Sequence, residues 1–272
     1  MNGKSVVLMI IISIISLIVT IASYYGYTRF IKLKYEPLTA EAIRKYDKLD
    51  RVNSTKKVIV SLYADTNVKS SILSLLDQTV KADKIIINLP PTLSVSDFLK
   101  NNQMHKSELD KNKIVSIHNM ANDYGEIGSL ITPLLSEQDA NTIIIIVDGQ
   151  VIYGTDFIEE MVQYSVKHPT CLIYTKGFNA KEYIDHNRKI NGTNNDVIDT
   201  KYGVLVKPSF FKGDIIYEDK YKTLSGLISS CNFACKEKFS YSENFISNQN
   251  KNNEDDLKRD INLSRSNLSS FP

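Results

Sequence analysis

The chain has 272 residues, of which 42% are hydrophobic and 24% are charged, and it is long enough to bury one substantial core. Its formal net charge is only +2, and its lysines and arginines are scattered along the sequence. Electrostatics therefore gives no argument for a nucleic-acid partner, and we expect none.

Residues 1–34 have the composition of a membrane anchor with its flanks. Residues 6–22 are almost wholly apolar, which matches a hydrocarbon core of about 30 Å, and tyrosines follow. Lys4 alone precedes this segment, whereas Arg29, Lys32 and Lys34 follow it. Because basic residues concentrate on the cytoplasmic side of a span, the sequence predicts a single-pass protein with a cytoplasmic globular domain. The alternative is a cleaved signal peptide, for which the apolar segment is long.

Residues 35–56 are charged and partly helical in pattern, and we interpret them as a stem. Residues 57–241 then alternate short β-rich segments with helical patterns, which predicts a single, mostly parallel α/β sheet flanked by helices. Residues 242–272 carry few large apolar groups and are predicted to form a disordered tail. The first four predicted strands are residues 57–63, 84–89, 114–117 and 143–147.

The longest apolar run of the globular region ends on a carboxylate. Residues 143–147 are five consecutive β-branched residues, typical of a strand buried on both faces, and Asp148 follows them. Ligands of open α/β sheets bind outside the carboxyl ends of the strands. Asp148 is therefore the first candidate for a functional residue. The plainer alternative is a carboxylate that caps a neighbouring amide.

Several motifs occur together in a recognisable order. A strand ends at Ser61-Leu62-Tyr63, a helix leads into Ser74-Leu75-Leu76-Asp77-Gln78, and a second strand ends at Asn88-Leu89-Pro90. Asp123-Tyr124-Gly125 follows, and then the apolar strand, its acid and Val151-Ile152-Tyr153. This order resembles the family-2-like glycosyltransferases, and the Asp-Tyr-Gly motif resembles a subgroup known from bacteria and large DNA viruses. The resemblance covers residues 57–241.

The resemblance implies an A-type glycosyltransferase-like domain that transfers a sugar from a nucleotide sugar to a hydroxyl of a glycan or protein acceptor. It implies a divalent cation, manganese or magnesium, bound by Asp148. The family's general base has its counterpart in Glu218-Asp219, where we assign the role to Asp219; an alternative pair is Asp255-Asp256. The implied donor-binding residues are Asp65, Asp123, Asp148 and Gln150.

The residues alone leave plainer alternatives open at three of these positions. Asp65 also fits the N-cap region of a helix, and Asp123 also fits ordinary turn chemistry. Asp219 lies in a charged segment that is more typical of a solvated surface.

Two departures from the family pattern weaken the expected donor site. The family's acidic triplet, Asp-Asp-Asp or Asp-x-Asp, stands here as Asp148-Gly149-Gln150. Because hard cations prefer carboxylate oxygens, the neutral amide of Gln150 predicts weaker metal binding. Ser129 replaces the lysine expected after Asp-Tyr-Gly, which removes a candidate partner of the diphosphate. The alternative function is therefore an inactive relative that acts as a binding or scaffold protein.

The cysteines and histidines show no metal-site pattern. Cys171, Cys231 and Cys235 are too few for a disulfide framework, so we expect buried or free thiols, with a redox or metal role as the lesser alternative. The four histidines have no paired spacing and are predicted to lie on the surface or in loops.

Overall fold

The computed structural model of the protein describes residues 14–26, 39–65, 67–104, 106–111, 113–178, 197–211, 221, 223–231, 233–239, 241 and 246–247. The chain forms two compact units, Met1–Pro37 and Leu38–Pro272.

In the first unit, residues 14–26 are helical. Across the part of the chain that the structure describes, we find no helix with both the length and the apolarity needed to cross a bilayer. The large apolar side chains exposed along this helix are Ile14, Ile15, Leu17, Ile18, Val19 and Ile21.

The second unit is built on strands alternating with helices. The strands are β1 (Val58–Tyr63), β2 (Lys84–Leu89), β3 (Val115–Asn119), β4 (Ile143–Asp148), β5 (Val151–Ile152), β6 (Leu172–Tyr174), β7 (Gly177–Phe178), β8 (Val197–Ile198), β9 (Val204–Val206), β10 (Lys236–Lys238) and β11 (Ile246–Ser247). The helices are α1 (Thr39–Asp47), α2 (Lys69–Leu76), α3 (Val95–Asn101), α4 (Lys106–Lys111), α5 (Gly128–Ser136), α6 (Phe157–Lys167) and α7 (Leu224–Ser230). Short 3-10 turns cover Gly125–Ile127, Thr200–Tyr202 and Pro208–Phe210.

Seven strands form one central sheet in the order β10-β6-β9-β4-β1-β2-β3. Strand β1 pairs in parallel with β2 and β4, β2 with β3, and β6 with β10. Strand β9 runs antiparallel to β4 and β6, so the sheet is mixed although most of its pairings are parallel, as predicted. Two small antiparallel sheets pair β5 with β11 and β7 with β8.

The sheet carries a hydrophobic core on each face because successive strand side chains point to opposite sides. On β4, Ile143, Ile145 and Val147 belong to the core under α1, α2, α3 and α6, whereas Ile144 and Ile146 belong to the core under α5 and α7. Both faces of the predicted buried strand are thus covered, which confirms its assignment. The result is a three-layer α/β domain.

The chain reverses its direction across the sheet between β1 and β4. Strands β1, β2 and β3 follow one another outward, and β4 returns to the other side of β1. In open α/β sheets, the crevice at such a switch point, outside the carboxyl ends of the strands, is the ligand-binding position. The topology therefore points to the ends of β1 and β4.

Parts of the predicted stem and of the predicted tail contribute to the second unit. Residues 39–47, assigned to a stem, form α1 and bury Ile43 and Tyr46 in the core, where the Tyr46 hydroxyl accepts a hydrogen bond from the Ala82 N–H at 2.7 Å. At the other end, Ile246–Ser247 of the predicted disordered tail pairs with β5, and the rest of that tail lies outside the described residues.

The expectation of unbridged thiols is wrong for two of the three cysteines. Cys171 and Cys235 form a disulfide with a Cα–Cα distance of 4.4 Å. They are 64 residues apart in sequence and come together because β6 and β10 are parallel neighbours. Cys231 is buried, as expected, and lies outside the disulfide.

Gly203 has a conformation and a packing environment that only glycine satisfies. It precedes β9 with a φ of +104°, and an added Cβ would lie 2.5 Å from Cζ of Phe157, a fully buried residue of α6. The turn Thr200–Tyr202 immediately before it therefore depends on this glycine for its path.

We predict that Gly203→Ala lowers the free energy of unfolding by about 1–3 kcal/mol for the strained backbone, and further through the contact with Phe157. Gly125→Ala is the matched control because Gly125 also has a positive φ, +54°, but open space at its Cβ position. Chemical denaturation would measure both variants. Equal losses in the two would show that the Phe157 contact adds nothing.

Candidate functional site

Polar side chains form a row across the carboxyl ends of four parallel strands. Asp148 of β4 is paired with Tyr63 of β1, Tyr63 with Asn88 of β2, and Asn88 with His118 of β3. Alternation along β4 places Asp148 on the face of Ile144 and Ile146. The row thus lies at the switch point, on the α5 side of the sheet.

Hydrogen bonds to the backbone of Asp148 fix its position. Its N–H donates to the Tyr153 hydroxyl at 2.7 Å, and its carbonyl accepts from the Ser71 hydroxyl of α2 at 3.0 Å. Its Oδ1 accepts the Gln150 N–H at 2.6 Å, so the capping interaction is present. The second carboxylate oxygen forms no hydrogen bond with any described residue, which leaves it available to a ligand.

Tyr153 joins the Asp148 turn to the loop before β9. The side chain is 1% exposed, and its hydroxyl donates to the Lys201 carbonyl at 2.6 Å while accepting from Asp148. Burial, followed by the charge of Asp148, raises the pKa of Tyr153 well above its usual value. The hydroxyl therefore keeps the proton that it donates.

The turn after Asp148 requires glycine at its centre. A Cβ on Gly149 would lie 2.4 Å from Cγ1 of Val68 and 3.0 Å from the carbonyl oxygen of Tyr63. The middle position of the acidic triplet therefore has no room for a side chain in this backbone. Only Asp148 and Gln150, both partly exposed, remain to contact a ligand.

Asp65 and Asp123 both act on the hydroxyl of Tyr63, the last residue of β1. Burial raises the pKa of the Tyr63 hydroxyl, and the carboxylates of Asp123, Asp65 and Glu126 raise it further, with a hydrogen bond to Asp123. The predicted donor-binding acids Asp65, Asp123 and Asp148 therefore share one edge of the sheet.

Asp123 forms a turn, whereas Asp65 lies outside the N-cap of α2. Asp123 does make a turn, because its Oδ1 accepts the Gly125 N–H at 3.0 Å. Asp65 is exposed and does not cap a helix, because the N-cap residue of α2 is Val68.

Asp199 is a further acid of this edge that sequence analysis missed. It is the N-cap of the turn Thr200–Tyr202, and its Oδ1 accepts the Lys201 N–H at 3.3 Å. Burial raises the pKa of Asp199 and the charge of Asp148 adds to the effect, whereas Lys201 and Lys176 act in the opposite direction. The residue stands in a polar stretch without periodicity, and only the short apolar pair Val197-Ile198 before it signals a strand end.

The pKa of Asp148 is also raised, mainly by burial. The Gln150 N–H and the charge of Lys201 act against this rise, and the charge of Asp65 adds to it. The charge of Asp148 thus disfavours the ionised form of Asp199. A cation between them, or a ligand that brings one, would relieve the repulsion.

Two expected residues do not take part in this arrangement. Ser129, in the position of the family's lysine, is 2% exposed on α5 and donates to the Glu126 carbonyl at 2.6 Å. Asp219 and its neighbour Glu218 lie outside the described residues, as do Asp255 and Asp256.

The acids at this edge suit a cation bound by few protein ligands. Within the described ranges, only His168, Cys171 and Glu237 bring three ligand-type atoms within 4.8 Å of one another, and none of these belongs to the edge. Magnesium-type sites commonly use one or two carboxylates together with substrate phosphates. Asp148 and Asp199 are the two partly buried carboxylates that this edge offers for such a site.

No protein-family model matches the chain. No curated protein matches it either. Among solved structures, the chain is similar to the mannosyltransferase PcManGT from Pyrobaculum calidifontis, in complex with GDP-Man and Mn²⁺, at 12% identity over 70% of this chain, with a TM-score of 0.39. It spans 55% of that protein's length. HddC from Yersinia pseudotuberculosis is similar at 13% identity over 79% of this chain and 100% of its own, with a TM-score of 0.43. Neither likeness is strong enough to fix a function.

We predict that Asp199→Asn stabilises the protein at neutral pH. A raised carboxyl pKa means that the folded state binds the proton more tightly, so the free energy of unfolding falls as pH rises from about 4 through the folded pKa. Asparagine removes this loss and can still accept the Lys201 N–H.

Melting temperatures at pH 7 and below pH 4 would measure the effect, which should be present at pH 7 and vanish at low pH. Asp139→Asn is the control, because Asp139 is exposed and its Oδ1 likewise accepts the N–H two residues on, from Asn141. A stabilisation that is independent of pH would contradict the electrostatic account.

Proposed function

We propose that the chain is a membrane-anchored, A-type glycosyltransferase-like protein that binds a nucleotide sugar at the ends of β1 and β4. The observation that carries the proposal is the meeting of Asp65, Asp123 and Asp148 at the switch point of the sheet. The order of motifs along the chain supports the same fold type.

The donor site divides into a nucleoside side and a diphosphate side. Asp65 and Asp123, beside Tyr63, are placed to accept hydrogen bonds from the base or ribose. Asp148 and Asp199 would hold a manganese or magnesium ion, which neutralises charge on the leaving diphosphate. Gln150 offers a neutral oxygen next to them.

Two lysines supply the positive charge that the family's lysine would provide at the position of Ser129. The charges of Lys201 and Lys176 both act on Asp199, and the Lys176 ammonium lies 3.6 Å from the centre of the Tyr202 ring. Lysine ammonium groups bind phosphate as point charges. We assign these two residues to the diphosphate side of the site.

The transfer step needs a base for the acceptor hydroxyl. We keep Asp219 in this role, because a carboxylate close to the acceptor can remove its proton as the bond to the sugar forms. The acceptor, on this proposal, is a hydroxyl of a glycan or protein.

A second candidate function rests on Gln150. With a neutral amide where the family has an acid, and with no room for a side chain at Gly149, the site has less negative charge to hold a cation. The alternative is an inactive relative that binds a nucleotide sugar, or a partner, without transfer.

We predict that the full chain in detergent binds one of a panel of UDP-, GDP- and CMP-sugars more tightly with Mn²⁺ than without it. Asp148→Asn should weaken this binding at least about tenfold, because it removes a charge that faces the cation. Asp139→Asn is the matched control, since it alters the same kind of turn at the opposite end of β4. Titration calorimetry would measure all three proteins.

Gln150→Asp distinguishes the two candidate functions within this experiment. Restoring the acid should strengthen binding in the presence of Mn²⁺ and should not strengthen binding without metal, because the added carboxylate then repels the diphosphate. If the natural protein transfers a sugar in the presence of Mn²⁺ and Gln150→Asp does not strengthen binding, the Asp148-Gly149-Gln150 triplet supports metal binding without a second acid. Absence of nucleotide-sugar binding in every form would favour the scaffold function.

We also propose that residues 6–22 anchor the protein in a membrane with the second unit in the cytoplasm. The support is the apolar sequence with its exposed apolar helix, and the basic residues Arg29, Lys32 and Lys34 that follow it. The Cys171–Cys235 disulfide weighs against this orientation, because disulfides are rare in the cytosol.

For the cytoplasmic orientation we expect the second unit to be digested by protease added to the cytoplasmic side of sealed vesicles. The Asn-x-Ser/Thr sequons at Asn53, Asn191, Asn262 and Asn267 should stay unglycosylated, since glycan transfer takes place on the lumenal side. Protection of the domain, or glycans on these asparagines, would place it on the other side.

A further inference from the structure

A second group of ligand-type side chains lies at the amino ends of β6 and β10. His168, Cys171 and Glu237 each place one ligand atom within 4.8 Å of the others. Cys235 is bonded to Cys171, and its Sγ lies 3.9 Å from Oε1 of Glu237. We call His168, Cys171, Cys235 and Glu237 the sulfur group.

The sulfur group is separate from the candidate donor site. Ile173 of β6 and Ile145 of β4 are level in the sheet, since both are paired with Leu205. Cys171 lies two residues before that level and Asp148 three residues after it. At about 3.3 Å per residue, the two sites are at least about 15 Å apart along the strands.

Local structure explains why the four side chains converge. His168 ends the last turn of α6, and its carbonyl accepts the Cys171 N–H at 3.1 Å, which keeps the two residues together. Cys235 and Glu237 are alternate residues of one extended segment and so share a face. The carbonyl of Cys235 accepts the Leu172 N–H at 3.0 Å, which aligns this segment with β6.

Two sulfurs, an imidazole and a carboxylate are a ligand set that suits zinc. Zinc bonds of about 2.0–2.3 Å in tetrahedral geometry put neighbouring ligand atoms about 3.3–3.8 Å apart. The ligand atoms of His168, Cys171 and Glu237 are already within 4.8 Å of one another and reach that spacing through shifts of about 1 Å. The Cys235 Sγ, 3.9 Å from Oε1 of Glu237, would turn toward the same centre once the disulfide is open. In the disulfide form the two sulfurs are bonded to each other, so neither can bind zinc as a thiolate.

We propose that reduction of the Cys171–Cys235 disulfide converts the sulfur group into a tetrahedral Zn²⁺ site. A dithiol reductant gives two electrons and two protons to the S–S bond, which breaks into two thiols while the dithiol closes to its own disulfide. Zinc then displaces both thiol protons to solvent, because the thiolate is the ligand. One covalent link between β6 and β10 is thus exchanged for a metal link at the same place.

A zinc site would allow the second unit to lie in the cytoplasm, where disulfides are rare. In a reducing compartment the two cysteines stay reduced, and zinc bound by their thiolates keeps the edge strand β10 attached to β6. In an oxidising compartment the disulfide does so. The proposal does not rest on the donor site, and failure of nucleotide-sugar binding leaves it intact.

The test is zinc analysis of the full chain in detergent. After reduction with a phosphine, exposure to Zn²⁺ and removal of unbound metal, the chain should retain about one zinc ion, and the untreated disulfide form almost none. With Co²⁺ in place of zinc, the reduced chain should show thiolate-to-metal charge-transfer absorption in the near ultraviolet. Cys171→Ser should lose this absorption.

Cys231→Ser is the matched control, because Cys231 is a buried cysteine just before Cys235 but outside the sulfur group. It should bind zinc like the natural chain. His168→Gln keeps both cysteines and should weaken zinc binding at least about tenfold, even if the cysteine variants fail to fold.

Equal zinc in the reduced and disulfide forms would show adventitious metal and overturn the proposal. So would equal losses in Cys231→Ser and Cys171→Ser, a cobalt spectrum without thiolate bands, or a reduced chain that unfolds without retaining zinc.

Discussion

The hydroxyl of Tyr153 is the contact on which the carboxyl edge depends. It accepts from the Asp148 N–H and donates to the Lys201 carbonyl, so it ties the end of β4 to the loop that carries Asp199. Without it, two backbone groups would lose a partner, at a cost of about 1–3 kcal/mol each if buried. The hydroxyl remains protonated because its pKa is raised, and the link therefore persists at any physiological pH.

The arrangement that this link supports is electrostatically unfavourable on its own. Asp148 and Asp199 are partly buried carboxylates whose pKa values are raised mainly by burial, and the charge of Asp148 adds to the rise at Asp199, a condition typical of functional sites. The rest of the domain holds them there. Gln78, for example, donates to the Gly154 carbonyl and accepts the Ile158 N–H, which fixes the start of α6 next to the Asp148 turn. A cation with a diphosphate would complete the charge balance.

The sequence predicts which edge of the sheet carries the carboxylates, but it does not predict all of the carboxylates at that edge. Asp148 is predictable because a buried strand ends on it, and parallel strands bring their ends together. Asp199 is not, because it follows a two-residue strand placed by long-range pairing with no periodicity of its own. The disulfide was missed for a similar reason: Cys171 and Cys235 are remote in sequence, and only strand order makes them neighbours. The sequence does not reveal that helix α1 belongs to the core, because most of its residues are polar or charged and its buried Tyr46 is an isolated aromatic residue among them.

Hydrogen–deuterium exchange of the full chain, with and without a nucleotide sugar and Mn²⁺, tests the central claim most directly. If the donor binds at the ends of β1 and β4, peptides covering residues 63–68, 120–127 and 148–153 should exchange more slowly with the ligand. Peptides covering residues 137–143 and 168–172, at the opposite edge, should be unchanged. Slower exchange at the amino ends, or none anywhere at saturating ligand, would contradict the assignment of the site.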